Sequence, residues 1–187
     1  MRRPLVAEAQ AFILERVPTP LGEAVLVSDP EDALRLFYWE DPTHRWKAAL
    51  RQRYGDVALT EKKNAFGHAT VLKRYFDGDI AAVDALKVAF AGTPFQLKVW
   101  NALRRIAGGT TTSYGALAKK IGKSDAVRAV GLANGQNPIS LIVPCHRVVG
   151  SNGSLTGYGG GLERKRWLLD HEARYAGAGQ FQLERTG

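Results

Sequence analysis

The 187-residue sequence contains one cysteine, Cys145, and one methionine. A lone thiol cannot close a disulfide within the chain, nor build a two- or four-cysteine metal site. No apolar run reaches the roughly 20 residues that a helix needs to cross a bilayer. The opening Met1-Arg2-Arg3-Pro4 is basic but lacks the apolar core of a signal peptide, so a reducing cytoplasm is the expected setting. Acid is also scarce. Eighteen Asp and Glu stand against 26 Lys and Arg, giving a formal charge of +8 and a pI near 9.8. That balance favours a polyanionic partner, most commonly nucleic acid, although charge alone fits a merely soluble basic surface equally well. A hydrophobic content of 45% and a charged content of 24% are ordinary for a folded chain of one large or two small domains.

The first half reads as an antiparallel sheet with helices. Phe12-Ile13-Leu14, Ala24-Val25-Leu26-Val27 and Leu34 to Trp39 are short strand-like runs, broken by turn-rich Pro18 to Gly22 and Ser28 to Asp32. Helices are predicted over Thr43 to Tyr54 and Gly67 to Phe76. His44 and His68 are lone histidines, for which surface or packing roles are expected rather than ligation. Residues 78–92 read as a connection. Thr93-Pro94-Phe95-Gln96 then carries a capping box with proline at the first helical position, and Phe95, Val99, Leu103 and Ile106 follow at helical spacing up to Gly108-Gly109.

A helix-turn-helix pattern comes next. Ser113 caps a helix from Tyr114 to Ile121, Gly122-Lys123-Ser124 forms the turn with Ser124 as the next cap, and a second helix runs from Asp125 to Asn134, closed by Gly135. Sequence readout wants several long polar side chains on the reading helix. This helix offers Ala126, Ala129, Gly131 and Ala133, with Arg128 as its one basic residue. Small residues permit close approach to a groove without reading it, and one long cation can fill the space of a displaced base. An internal packed helix suits the same composition.

The central stretch is Ile142-Val143-Pro144-Cys145-His146-Arg147-Val148-Val149, read as buried strand or extended loop carrying three polar residues. Such a trio is costly to bury unless each member finds a partner. On an extended backbone Cys145 and His146 point to opposite faces, so a water would have to join them. An acid on the last helix, Glu172 with Asp170 behind it, is the candidate to orient the imidazole. Asn137, before Pro138, is placed to tie the second helix to the cysteine segment. The glycine-rich loop from Ser151 to Gly161 lacks the context of a phosphate-binding loop and reads as a lid or pocket wall with Tyr158 as a stacking ring. The last helix, Leu162 to Glu172, is expected to bury Leu162, Leu169 and Trp167. On chemistry alone, a cysteine hydrolase and a group-transfer acceptor both remain open. A helix-turn-helix regulator with a sensor cysteine is a further alternative.

Pro144-Cys145-His146-Arg147, preceded by Tyr114, Arg128 and Asn137 and followed by Tyr158 and Glu172, resembles the O6-alkylguanine-DNA alkyltransferase family over roughly Thr93 to Glu172. The resemblance implies an α+β chain. Residues 1–85 would form a structural N-terminal domain. Residues 86–176 would form a DNA-binding and alkyl-acceptor domain, mostly helical, with a winged-helix-like pair and a buried active-site strand. Residues 177–187 would be a tail. It implies irreversible transfer of an alkyl group from guanine O6 to Cys145, with His146, Glu172 and a water sustaining the thiolate, Asn137 bracing the backbone and Tyr114 donating to the leaving base. Arg128 would fill the gap left by the flipped nucleotide, beside Ala126, Ala129 and Gly131. Val148, Tyr158, Gly159 and Gly160 would wall the pocket. The implied partner is double-stranded DNA bearing O6-alkylguanine, approached through the minor groove with little sequence preference by a monomer, with no membrane association. No cofactor is implied, and without further cysteines no structural zinc. Ser140 and Gly159 stand where some relatives carry Pro and Ser, which bears on bulky adducts.

Overall fold

The structure, a computed structural model, describes residues 10–176. The basic start and the expected tail lie outside the described residues. β1 (Gln10–Thr19) and β2 (Gly22–Ser28) form a hairpin closed by Pro20-Leu21, and β3 (Leu34–Trp39) pairs antiparallel with β2. α1 (Arg45–Tyr54) follows, then β4 (Val57–Glu61), which adds parallel to β1 and completes the order β3-β2-β1-β4. The expected sheet is therefore mixed, with one strand that the sequence concealed.

Both faces of this sheet are covered, which is why Ala24-Val25-Leu26-Val27 is buried without alternation. Phe12, Leu14, Val25, Val27 and Leu36 pack against Trp46 and Leu50 of α1. Val17, Ala24, Leu26, Leu34, Phe37 and Trp39 face the other way, into a core that continues to Leu168. α2 (His68–Phe76) closes the first half. His68 is buried and tied at 3.1 Å to both Glu15 and Asp32, a packing role rather than a ligand set.

α3 (Pro94–Leu103) starts as the capping box requires: Thr93 Oγ1 accepts from the Gln96 amide, and Gln96 Oε1 accepts from the Thr93 amide. β5 (Thr112–Ser113) leads into α4 (Tyr114–Lys120), capped by Ser113, and a 3-10 turn at Ser124–Ala126 precedes α5 (Val127–Gly135). Ser124 makes no cap bond, contrary to expectation, because the 3-10 turn sets it three residues ahead of the helix start at Val127. β6 (Val148–Val149) pairs parallel with β5, and α6 (Leu162–Tyr175) ends the described chain. The buried stripe of α6 is Lys165, Leu168, His171 and Glu172. Leu162 is 46% exposed and Leu169 only half-buried, so the stripe read from apolar residues was rotated. The two halves join where the Phe37 amide donates to Pro138 O at 2.9 Å and the Ser140 amide to Phe37 O at 3.3 Å.

Candidate active site

The segment from Ile142 to Val149 is not the expected strand. Cys145–Arg147 is a 3-10 turn closed by the Arg147 amide donating to Pro144 O at 3.0 Å, and only Val148-Val149 is extended. Proline before the cysteine denies that position an amide for sheet pairing, so the segment folds on itself. The argument that adjacent Cys145 and His146 must face oppositely therefore falls. Just upstream, Leu141 is held at φ +70°, a left-handed conformation that costs a branched residue about 1–2 kcal/mol and persists because its side chain is buried.

Asn137 bridges this segment to the end of α5. Its Nδ2 donates to Val143 O at 2.7 Å and its Oδ1 accepts from the Ile139 amide at 3.0 Å. Both ends of the amide are used, which fixes the loop between them.

Glu172 is the hub. It is fully buried, and its carboxylate accepts from five donors. Oε1 accepts from Tyr75 Oη at 2.9 Å, His146 Nε2 at 2.8 Å and Arg147 Nη2 at 2.9 Å; Oε2 accepts from Arg147 Nε at 2.8 Å and the Gly109 amide at 3.3 Å. Arg147 Nη1 also donates to Ile106 O at 2.6 Å. Burial alone would push the carboxyl pKa up. The His146 hydrogen bond and the Arg147 pair outweigh it and hold the group well below the usual carboxylate range. Gly109, at φ +73°, allows the loop after α3 to approach α6 here, where any side chain would collide with Ala176. Asp170, expected behind Glu172, is exposed and takes no part.

His146 is fully buried, and burial lowers its pKa against the opposing pull of Glu172. Burial favours the neutral ring. A carboxylate can only accept, so Nε2 carries the hydrogen and Nδ1 keeps a lone pair. Nδ1 is buried and makes no protein hydrogen bond among the described residues. That leaves the ring one free acceptor site.

Cys145 is 3% exposed. Burial raises its pKa, while Asn137, the Lys165 ammonium and Ser140 pull it down. Burial thus favours the thiol, and the neighbouring groups favour its anion. Lys165 is buried, and its Nζ donates to Val148 O and Thr156 O, each at 2.7 Å, pinning the glycine-rich loop to β6. Burial lowers its pKa, and a thiolate at Cys145 would raise it. Sequence reading missed Lys165, Arg147 as a structural partner, and Tyr75. The sign that a charged residue lay on the inner stripe of α6 was the spacing of seven between Lys165 and Glu172.

Other candidates are placed as follows. Tyr158 packs against the core, its ring 6.4 Å from that of His146, and its hydroxyl accepts from Trp39 Nε1 at 3.3 Å. Tyr114 donates to Thr156 O at 3.2 Å, so it rests on the glycine-rich loop. Val148 is fully buried, and Gly160 abuts the Trp39 indole. Arg128 and Ala129 lie on the exposed face of α5 with Leu132, which is 65% exposed; Ala126 and Gly131 are half-buried, and Gly131 lies beside the Tyr114 ring. Ala133 turns inward, where its carbonyl accepts from Trp100 Nε1 at 2.8 Å. Among the described residues no cluster of three His, Cys, Asp or Glu is arranged to hold a metal ion, and no helix is long and apolar enough to cross a membrane.

Comparison with known proteins places this geometry in context. A family model described as "6-O-methylguanine DNA methyltransferase, DNA binding domain" matches residues 94–174. The methylated-DNA–protein-cysteine methyltransferase of Salmonella typhimurium is 47% identical over 160 residues, covering 84% of this chain and 94% of that protein. The O6-methylguanine methyltransferase of Mycobacterium tuberculosis superposes with a TM-score of 0.72 at 38% identity, covering 89% of this chain and 96% of the other. The Mycobacterium tuberculosis OGT structure in complex with DNA matches with a TM-score of 0.71 at 36% identity, covering 87% and 94%.

Proposed function

The chain belongs to the methylated-DNA–protein-cysteine methyltransferase family, and from that premise we propose how its residues carry out repair of alkylated DNA. It binds DNA and removes the alkyl group from guanine O6 by transfer to its own Cys145. The observation that supports the assignment is His146, its Nε2 held by Glu172 at 2.8 Å and its Nδ1 left without a protein partner, on the same turn as the lone cysteine.

The reaction is an in-line displacement. Cys145 passes its proton through a water to His146 Nδ1, with Glu172 stabilising the imidazolium that forms. The sulfur forms a bond to the alkyl carbon while the carbon–O6 bond breaks, and the electron pair leaves with guanine. Tyr114, released from Thr156, donates to the ring nitrogen on which that charge develops. Lys165, Asn137 and Ser140 stabilise the anionic sulfur before attack. The thioether has no leaving group, so each molecule acts once.

The target base must leave the stack for its O6 to be reached. Arg128 on the exposed face of α5 takes its place, with Ala126, Ala129 and Gly131 permitting close approach through the minor groove. The basic charge and the lack of base-reading side chains fit a search without sequence preference. Asn137 braces the loop behind the sulfur, and Val148, Tyr158, Gly159 and Gly160 form the wall. Residues 1–85 serve as the structural domain and 86–176 as the acceptor domain. A cytoplasmic monomer fits a reaction that requires a reduced thiol.

The test is to mix the protein with a duplex bearing one O6-methylguanine and weigh the peptide containing Cys145. Gain of one methylene, stoichiometric with protein, is expected. An unmodified peptide with persisting base damage would overturn the assignment, and repeated turnover would indicate a hydrolase.

A further inference from the structure

A cavity of about 360 Å³ opens between α1, the loop that follows α5 and the glycine-rich loop. Asn137, Ser140 and Gly159 form one side and Arg45, Gln52 and Arg53 the other. Asn137 and Ser140 are also among the side chains that pull the Cys145 pKa down, so the cavity and the thiol share two neighbours. Nothing stands within 4 Å of where a side chain at Gly159 would begin, which leaves that wall open.

The far wall is cationic, and none of the lining residues is acidic. Arg45 is paired with Asp41 at 2.9 Å. Arg53 donates only to carbonyls, Ala49 O at 3.2 Å and Gln136 O at 3.0 Å, and has no carboxylate partner among the described residues. A guanidinium facing a cavity, with donors to spare and no counter-ion, suits a planar anion. Small-molecule subsites take this form, a concave space with a few convergent polar groups.

Resting on the repair reading above, we infer that this cavity is a subsite for O6 substituents longer than methyl that end in a carboxylate, with Arg53 as the residue that selects them. The bond changes are those of methyl transfer. Sulfur bonds to the first carbon of the chain, the carbon–O6 bond breaks with its electron pair on guanine, and the remote carboxylate stays on the thioether as a spectator. A DNA backbone phosphate would present the same anionic chemistry to Arg53, and the experiment separates the two sources.

Single-turnover transfer is measured from duplexes carrying O6-methyl-, O6-(3-carboxypropyl)- or O6-(4-methylpentyl)guanine, with wild type and Arg53→Gln. The last two adducts share shape and a primary reacting carbon, so they differ only in charge. Loss of one charge-assisted hydrogen bond predicts that Arg53→Gln slows the carboxypropyl reaction by roughly ten- to a hundredfold. Methyl and methylpentyl transfer should stay within about twofold, which also shows that the variant is folded. Equal slowing of all three would assign Arg53 to a backbone phosphate or to the fold and overturn the subsite. Unchanged carboxypropyl transfer would overturn it as well. If wild type fails on the methyl substrate too, it is the repair reading that fails.

Discussion

Replacing Glu172 with Gln alters one atom of the hub and should remove both stability and chemistry. The amide cannot offer the negative charge that Arg147 receives at 2.8 and 2.9 Å. Arg147 is 2% exposed, so its guanidinium would be left as an uncompensated buried cation. Breaking such a pair costs about 3–5 kcal/mol. For a chain of this size that corresponds to a fall in Tm of roughly 6–20 °C. Gln can also donate toward His146 Nε2, which moves the ring hydrogen to Nδ1 and removes the free lone pair. Loss of an oriented base predicts slowing of transfer by about 10²–10⁴-fold. Urea melts and single-turnover methyl transfer read the two effects. The double variant Glu172→Gln, Arg147→Met separates them: removal of the orphaned cation should recover much of the stability, while transfer stays slow. A single variant that melts within about 1 kcal/mol of wild type and transfers at the wild-type rate would refute the reasoning about the hub. A double variant that recovers both would leave Glu172 a structural residue only.

Three further outcomes follow from the same geometry. Acidification should destabilise the protein from about pH 6.5 downward. His146 and Glu172 both have folded pKa values below their unfolded ones, so the unfolded chain binds more protons as pH falls, and the contribution of each is complete only above its unfolded value; a stability plateau extending below pH 4 would contradict both shifts. Thr93→Ala removes the side-chain half of the capping box on α3 and should cost about 1 kcal/mol, or about 2–4 °C in Tm, with transfer unchanged. Arg128→Ala should melt like wild type and alkylate normally with single-stranded substrate but react slowly with duplex; equal rates on the two forms would remove Arg128 from base displacement.

The parts of the fold legible in the sequence were those where local chemistry decides. The capping box at Thr93, the Ser113 cap, and the strands around Val25 and Phe37 carry their signals within a few residues. β4 stayed hidden because it is an edge strand whose residues Ala58 to Glu61 are exposed, leaving no buried face to impose alternation. The turn at Cys145–Arg147 was not legible within a segment read as strand or extended loop, because a run of β-branched residues looks the same whether it extends or coils at a proline. Glu172 was named as a candidate from the helix, but its partners were not all readable: Tyr75 lies 97 residues away and Gly109 lies 63 away. Lys165 stayed invisible because a buried lysine makes sense only once the carbonyls of Val148 and Thr156 are seen to converge on it.

The many-donor carboxylate at Glu172 constrains how this protein can change. It ties together α2, the loop after α3, the cysteine turn and α6, so mutations at Glu172 loosen four segments at once. Diversification is therefore easier in the cavity between α1 and the glycine-rich loop, whose lining does not include Glu172. There Gly159 and the cationic side chains of α1 can drift without unfastening the molecule, and a changed diet of lesions would be recorded at those positions first.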